Sequence, residues 1–262
     1  MKEKLCRESL ARYVLAMLTA AGLTVAAQAQ TVLVDFGNAA SFRGVTVPNP
    51  DPNGNFWNSL VPGPFYVDLV DTNNNATTID LGFATPVGTD SFNGPAGPTS
   101  FPNPTPAEIA ATDIDHAALG NLGVNEAAID FAAADSGPAR FEIQQLDPSK
   151  TYTMTFFGSH KFSNDDTTVY SIYSDSTYTT LVASASLNVQ TPGSPDMHNR
   201  DMVATIANVS PQTSNILYVQ FAGASGGFGY LNDFQITAIP EPSAVLLLAS
   251  GAVALCFGYR RR

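Results

Sequence analysis

Along most of the chain, hydrophobic and polar residues alternate in short bursts separated by dense turn signals. Ten segments carry the period-two pattern of half-buried strands, rich in β-branched and aromatic residues: 31–37, 65–71, 76–83, 139–146, 150–158, 167–174, 180–189, 201–209, 215–223 and 230–239. No long helical period separates them, so the pattern predicts an all-β fold, an antiparallel β-sandwich. Two proline- and glycine-rich interruptions, 44–64 and 86–106, read as long loops on that scaffold. Only 108–119 and 124–135 favour helix, through their alanines, and both are short and weakly patterned. There is no repeat at solenoid or propeller spacing.

The two ends break the pattern. Lys2, Lys4, Arg7 and Arg12 form a basic region, residues 13–26 an apolar one, and Ala27-Gln28-Ala29 a small-residue cleavage site, which predicts a signal peptide over 1–29 cut before Gln30 by signal peptidase. At the other end, residues 243–259 carry no charge and are just long enough to cross a bilayer as a single transmembrane helix. Arg260, Arg261 and Arg262 follow at once, and such arginines stay cytoplasmic, leaving everything upstream outside. The organisation read from the sequence is therefore a signal peptide (1–29), a β-sandwich domain (30–239) and a C-terminal segment (240–262).

Charge and cysteine change the picture once the ends are set aside. The whole chain holds 12 Lys and Arg against 23 Asp and Glu; residues 30–239 keep five and 20 of these, a net charge of −15. That excludes nucleic acid as a partner and suits a protein kept soluble outside the cell. Cys6 and Cys256 both lie in the end segments, so the sandwich has neither a disulfide framework nor a cysteine-ligated metal available to it. Its stability must come from burial.

Pro240-Glu241-Pro242, the apolar run and the three arginines, in that order, resemble the PEP-CTERM sorting signal, a tail also known from an ice-binding protein. The resemblance implies recognition by an exosortase-type membrane protease, transient anchoring in the inner membrane, and delivery to the cell surface or the extracellular space of bacteria that make extracellular polysaccharide. It covers only about the last two dozen residues. Within the sandwich, "VLVDFGN", "FWNSL", "LDPSKTYTMTFFGS" and "GYLNDFQI" resemble pieces of galactose-binding-like, malectin-like jelly-roll domains. Such domains serve as sugar-binding modules, accessory domains of hydrolases, or spacers.

Candidate chemistry is sparse. "GASGG" (223–227) matches a nucleophile elbow, but a strand follows it and no histidine lies downstream, so it reads as a turn and no catalytic residue is assigned. "DTNNNATTID" (71–80) begins like a calcium loop yet lacks the glycine and the bidentate glutamate of one, and reads as a hairpin turn. No cofactor and no metal ligand is assigned, although the acidic loops are compatible with a structural calcium outside the cell. His116, His160 and His198 lack the paired spacing of a zinc site and read as polar loop residues. Sugar faces stack on aromatic rings while amides bond hydroxyls, so Trp57 and Asn58 in "NFWN", and Tyr230 and Asn232 in "FGYLND", are the ligand-binding candidates, with Trp57 read first as core.

The function expected from these observations is that of an exported, non-catalytic surface or matrix protein that binds carbohydrate, with extracellular polysaccharide as its partner. Two alternatives stay open: a secreted polysaccharide hydrolase, which needs two facing carboxylates ~5–9 Å apart in a pocket, and an ice-binding or adhesive surface, which needs a regular threonine ladder.

Overall fold

Alternation along a strand decides which side chains go inward, and the core follows from it. A computed structural model describes residues 29–85, 87–90, 103–135, 137–161, 167–190, 198–211 and 214–239. Residues 27, 240–242 and 260–262, the apolar run 243–259 and most of the predicted signal peptide lie outside the described residues; among those described, no helix is long and apolar enough to cross a membrane.

Among the described residues fourteen strands form: β1 (Gln30–Asp35), β2 (Asn58–Ser59), β3 (Phe65–Tyr66), β4 (Asp80–Phe83), β5 (Gly88–Asp90), β6 (Phe131–Ala134), β7 (Ala139–Gln144), β8 (Thr151–Phe157), β9 (Thr167–Tyr173), β10 (Leu181–Asn188), β11 (Ala204–Val209), β12 (Leu217–Gly223), β13 (Gly229–Leu231) and β14 (Asp233–Ile239). Three short helices, α1 (Pro106–Ala110), α2 (His116–Leu119) and α3 (Asn125–Ile129), fall between β5 and β6. One sheet has the order β11-β8-β14-β1-β2, a second β10-β9-β12-β7-β4-β3, and a small third one β13-β6-β5. Pairing is antiparallel except between β1 and β2. The fold is an antiparallel β-sandwich.

The two large sheets face each other across one aromatic-rich core. Val32, Val34, Met154, Phe156, Phe234 and Ile236 come from the five-stranded sheet, and Leu81, Phe141, Ile143, Tyr170, Ile172, Val219 and Phe221 from the six-stranded one. Phe156 stacks on Tyr170 at 4.7 Å, and Phe36 contacts Phe83, Phe141 and Phe234 at 5.5–5.6 Å. Such offset and edge contacts add to the burial of the rings themselves.

A second, smaller core lies on the outside of the five-stranded sheet. Leu33 and Phe157 point outward and are covered by Trp57, Val47, Leu119, Leu122, Val124, Ala127 and Ala128. The 124–135 segment, which alanine content favours as helix, divides instead: α3 buries Ala127 and Ala128 in this core, and β6 then pairs with β13. The 65–71 segment forms a strand only at Phe65–Tyr66, because Asp68 turns to φ +53° and the chain leaves the sheet. Around 70–76 the expected hairpin turn does form: Val70 bridges Ala76, and Asp71 Oδ1 accepts the amides of Asn73 and Asn75 at 2.9 Å.

Candidate functional site

The residues singled out from sequence are structural. Trp57 is 2% exposed and its indole N–H donates to Asp51 Oδ2 at 2.9 Å, so it takes the core reading, and no sugar can stack on it. Asn58 donates through Nδ2 to the carbonyls of Leu33 and Val70 and accepts the Val70 amide, which staples a loop to β1. Tyr230 is buried and stacks on His160 at 4.1 Å. Asn232 interrupts the last predicted strand: its Nδ2 donates to the carbonyls of Ala128 and Asp130 and its Oδ1 accepts the Ser159 amide. A short polar residue at a strand break is serving unpaired backbone there. His160 and His198 lie between strands, as expected, but are buried, and burial holds both imidazoles down to about 4. "GASGG" forms the turn between β12 and β13, with the Gly226 amide donating to Gly223 at 3.1 Å.

Three aspartates meet where β1, β14 and the end of α3 come together. Asp35 and Asp233 are direct cross-strand partners on the outward face, and all three of Asp35, Asp130 and Asp233 have 0% exposure. Asp130 Oδ2 accepts the Val45 amide at 2.7 Å, Asp35 lies within reach of Ser59 and Asp130, and neither oxygen of Asp233 meets a donor among the described residues. Burial, and for Asp35 and Asp233 the charge of Asp130, raises their carboxyls far above the ordinary range. A Cβ at Gly37 would run into the Asp130 carboxylate, which accounts for glycine at that position. Among the described residues, no three His, Cys, Asp or Glu side chains group as metal ligands.

Beside this cluster, a cavity of about 690 Å³ lies between the 45–53 loop and α1 and α3, walled by Val45, Pro48, Pro52, Pro106 and Ile109, with His116 and Glu126 at its polar side. His116 is tied down through Nδ1 to the Gly123 carbonyl at 2.7 Å. Among the described residues, no Phe, Tyr or Trp lines the cavity.

Aromatic and polar groups do converge on the outward face of the six-stranded sheet. Tyr173 of β9 is paired with Tyr218 of β12, Tyr218 with Glu142 of β7, Glu142 with Gly82 of β4, and Gly82 with Phe65 of β3. Direct partners share a face, so these five positions make one row across five strands, roughly 19 Å long at the usual strand spacing. Gly82 leaves the space over which the Phe65 ring lies. Phe65 is 53% exposed. In the adjoining row, Arg140 Nε donates to Gln220 Oε1 at 2.9 Å, and Gln144 donates to Glu142 at 2.7 Å.

The β9–β10 loop folds back over this face. Tyr178 places its ring 4.4 Å from the Arg140 guanidinium carbon and edge-on to Tyr173 and Tyr218 at 5.6 and 5.8 Å. Its backbone is left-handed, φ +56°, unusual for a bulky residue and tolerable only where surroundings enforce it. Asp175 does the enforcing. It accepts from the Thr177 hydroxyl and amide and from the Thr180 amide, contacts that hold its carboxyl well below the usual range. Burial and the Glu142 charge push the Tyr178 phenol up, against the pull of Arg140, and push up Tyr218 as well. This polar, ring-bearing surface was missed in the sequence because its members come from five strands spread over more than a hundred residues.

The outward face of the five-stranded sheet carries a different pattern. Thr31, Thr237 and Thr153 form one row, and Thr155 and Thr205 lie opposite each other in another. Thr31 and Thr237 hydroxyls are 3.3 Å apart.

Comparison with known proteins identifies a PEP-CTERM protein-sorting motif over residues 238–262. The chain therefore carries the export and sorting tail that implies an exported, cell-surface protein processed by an exosortase. No curated protein matches the chain. Among solved structures, it is similar at 13% identity and a TM-score of 0.29 to a truncated AlyQ with CBM32 and alginate lyase domains, over 62% of this chain and 34% of that one. It is similar at 14% identity and 0.27 to TmCBM61 in complex with β-1,4-galactotriose, over 61% and 88%, and at 15% and 0.29 to the enzymatically active domain of bacteriophage CBA120 tailspike protein 4, over 60% and 19%. The match thus spans about a third of the first of these chains.

Proposed function

We propose that the chain is an exported cell-surface protein that binds polysaccharide through the outward face of the six-stranded sheet and performs no catalysis there. The observation that carries this reading is the row Tyr173–Tyr218–Glu142–Gly82–Phe65, flanked by Arg140 and Gln220. Rings at both ends suit the apolar faces of sugar rings, and the amide, guanidinium and carboxylate groups between them suit hydroxyls. Arg140 is already engaged by Tyr178 and Gln220, and the domain's charge of −15 repels polyanions, so the ligand is a neutral glycan.

The hydrolase reading lacks support of the same kind. The aspartates that lie together, Asp35, Asp130 and Asp233, are sealed from solvent and cannot reach a glycosidic bond. The ice-binding reading draws on the threonine rows, but sheets twist by 20–25° from strand to strand, which takes so short an array out of the flat register that ice requires.

Affinity electrophoresis through gels carrying neutral polysaccharides tests the proposal. Wild type is expected to be retarded by at least one of them, and Tyr173→Ala, which removes an end ring from a partly exposed position, to lose about 2 kcal/mol of binding, more than tenfold in affinity, while melting like wild type. Equal retardation of the two proteins would place the sugar elsewhere.

A further inference from the structure

The sandwich has four strand edges in its two large sheets, and three of them are blunted. β2 and β3 are two residues long. β11 breaks its register between Ile206 and Val209, with Asn208 at φ +59°, a bulge that turns the edge away from further pairing. The fourth is different. β10 runs for eight residues, Leu181–Asn188; its register shifts once, between Leu181 and Ala183, and the residues after that shift pair regularly with β9 and border the six-stranded sheet with no strand beyond them among the described residues. It contains no proline and no charged residue, the two devices that commonly protect an edge.

Its side chains point the same way. Ser184, Ser186 and Asn188 are exposed on the outward face, and Leu181 and Val182 are 54% and 41% exposed. On the inward face, Ala183 and Ala185 are only partly buried against the core, so the hydrophobic layer ends on small, half-covered residues. In a domain of charge −15, approach of a like molecule is opposed over most of the surface. An uncharged edge is where that opposition is weakest.

We infer that β10 pairs with β10 of a second copy of this chain, antiparallel about a twofold axis, joining two six-stranded sheets into one. The sequence L-V-A-S-A-S-L-N is compatible with itself in reverse. A register with Ala185 opposite Ala185 lies within the regular stretch and sets Ala183 against Leu187 on the inner face and Ser184 against Ser186 on the outer one, so neither face is inverted. The Tyr173–Phe65 rows then lie on one continuous surface, twice represented, which strengthens retention on a repeating polymer through multivalency. That last consequence rests on the proposed sugar binding; the pairing itself does not.

Light scattering from the purified chain at high micromolar concentration tests it. Wild type is expected to show the mass of two chains, and Ser184→Lys and Ser186→Lys, which set lysines against the paired edge from solvent-facing positions, the mass of one with an unchanged melting temperature. Thr205→Lys, an equally exposed change on the bulged β11 edge, is expected to remain at two. A wild type with the mass of one chain overturns the inference. So does a dimer that both β10 lysines leave intact, because association would then run through another surface. A wild-type dimer that the β10 lysines separate but no neutral polysaccharide retards would instead count against the sugar-binding reading alone.

Discussion

Trp57→Ala is expected to destabilise the fold by about 3–5 kcal/mol, a large share of the 5–15 kcal/mol that typical domains possess. The indole sits at the centre of the core between the five-stranded sheet and the helical segment, against Leu33, Leu122, Val124 and Phe157. Its removal leaves a cavity and takes the indole N–H from Asp51, whose other oxygen already organises the amides of Asn53 and Asn55. The rest of the turn is held by reciprocal bonds between Asn49 and the Trp57 backbone, which alanine keeps. Thermal melts should therefore show a cooperative transition shifted down by roughly 10 °C or more, with Trp57→Phe intermediate. A shift of a degree or two would mean that the helical segment is not packed on the sheet as described.

The second large effect comes from the buried aspartates. Asp35, Asp130 and Asp233 have carboxyls raised in the folded state, so between the ordinary carboxylate value and those raised values the native state binds more protons than the unfolded one. Stability from these groups is then fully present below about pH 4 and is lost as pH rises toward the folded values. His160 and His198 act in the opposite sense: each is held at about 4 against an ordinary 6.5, so their contribution is complete above pH 6.5 and is lost as pH falls through 4. Asp233→Asn removes one proton-binding group and keeps its shape. It is expected to raise the melting temperature at neutral pH and to flatten its decline as pH rises above about 4. A variant that is less stable than wild type at pH 7, with the decline unchanged, would show that the carboxylate is ionised and partnered.

How far the sequence foretold this depends on the element. Segments such as "ARFEIQ" and "TYTMTFF" place alternate apolar residues so regularly that only a half-buried strand accommodates them, and β7 and β8 form there. Boundaries were less legible at Asp68, where a left-handed backbone ends a strand, and at Asn232, where side-chain hydrogen bonds to Ala128 and Asp130 accompany the break, because tertiary contacts and not local pattern set both. Alanine in 124–135 could not announce that half the segment would become β6, since the choice depends on β13 being alongside. The binding surface was hidden for a related reason. Alternation tells which residues of one strand point outward, but only the strand order tells that Tyr173, Tyr218, Glu142 and Phe65 are neighbours. Trp57 and Tyr230 looked like platform residues because an aromatic beside an asparagine reads alike whether it binds a sugar or closes a core.

The most direct test of the sugar-binding account is to map a neutral oligosaccharide on the protein by amide chemical-shift perturbation during titration. The account predicts that the shifts concentrate on β9, β12 and β7 around Tyr173, Tyr218, Gln220, Arg140 and Glu142, extending to Phe65 and to the loop that holds Tyr178. Shifts confined to the cavity beside α1 and α3, or none across a broad panel of neutral glycans, would contradict it.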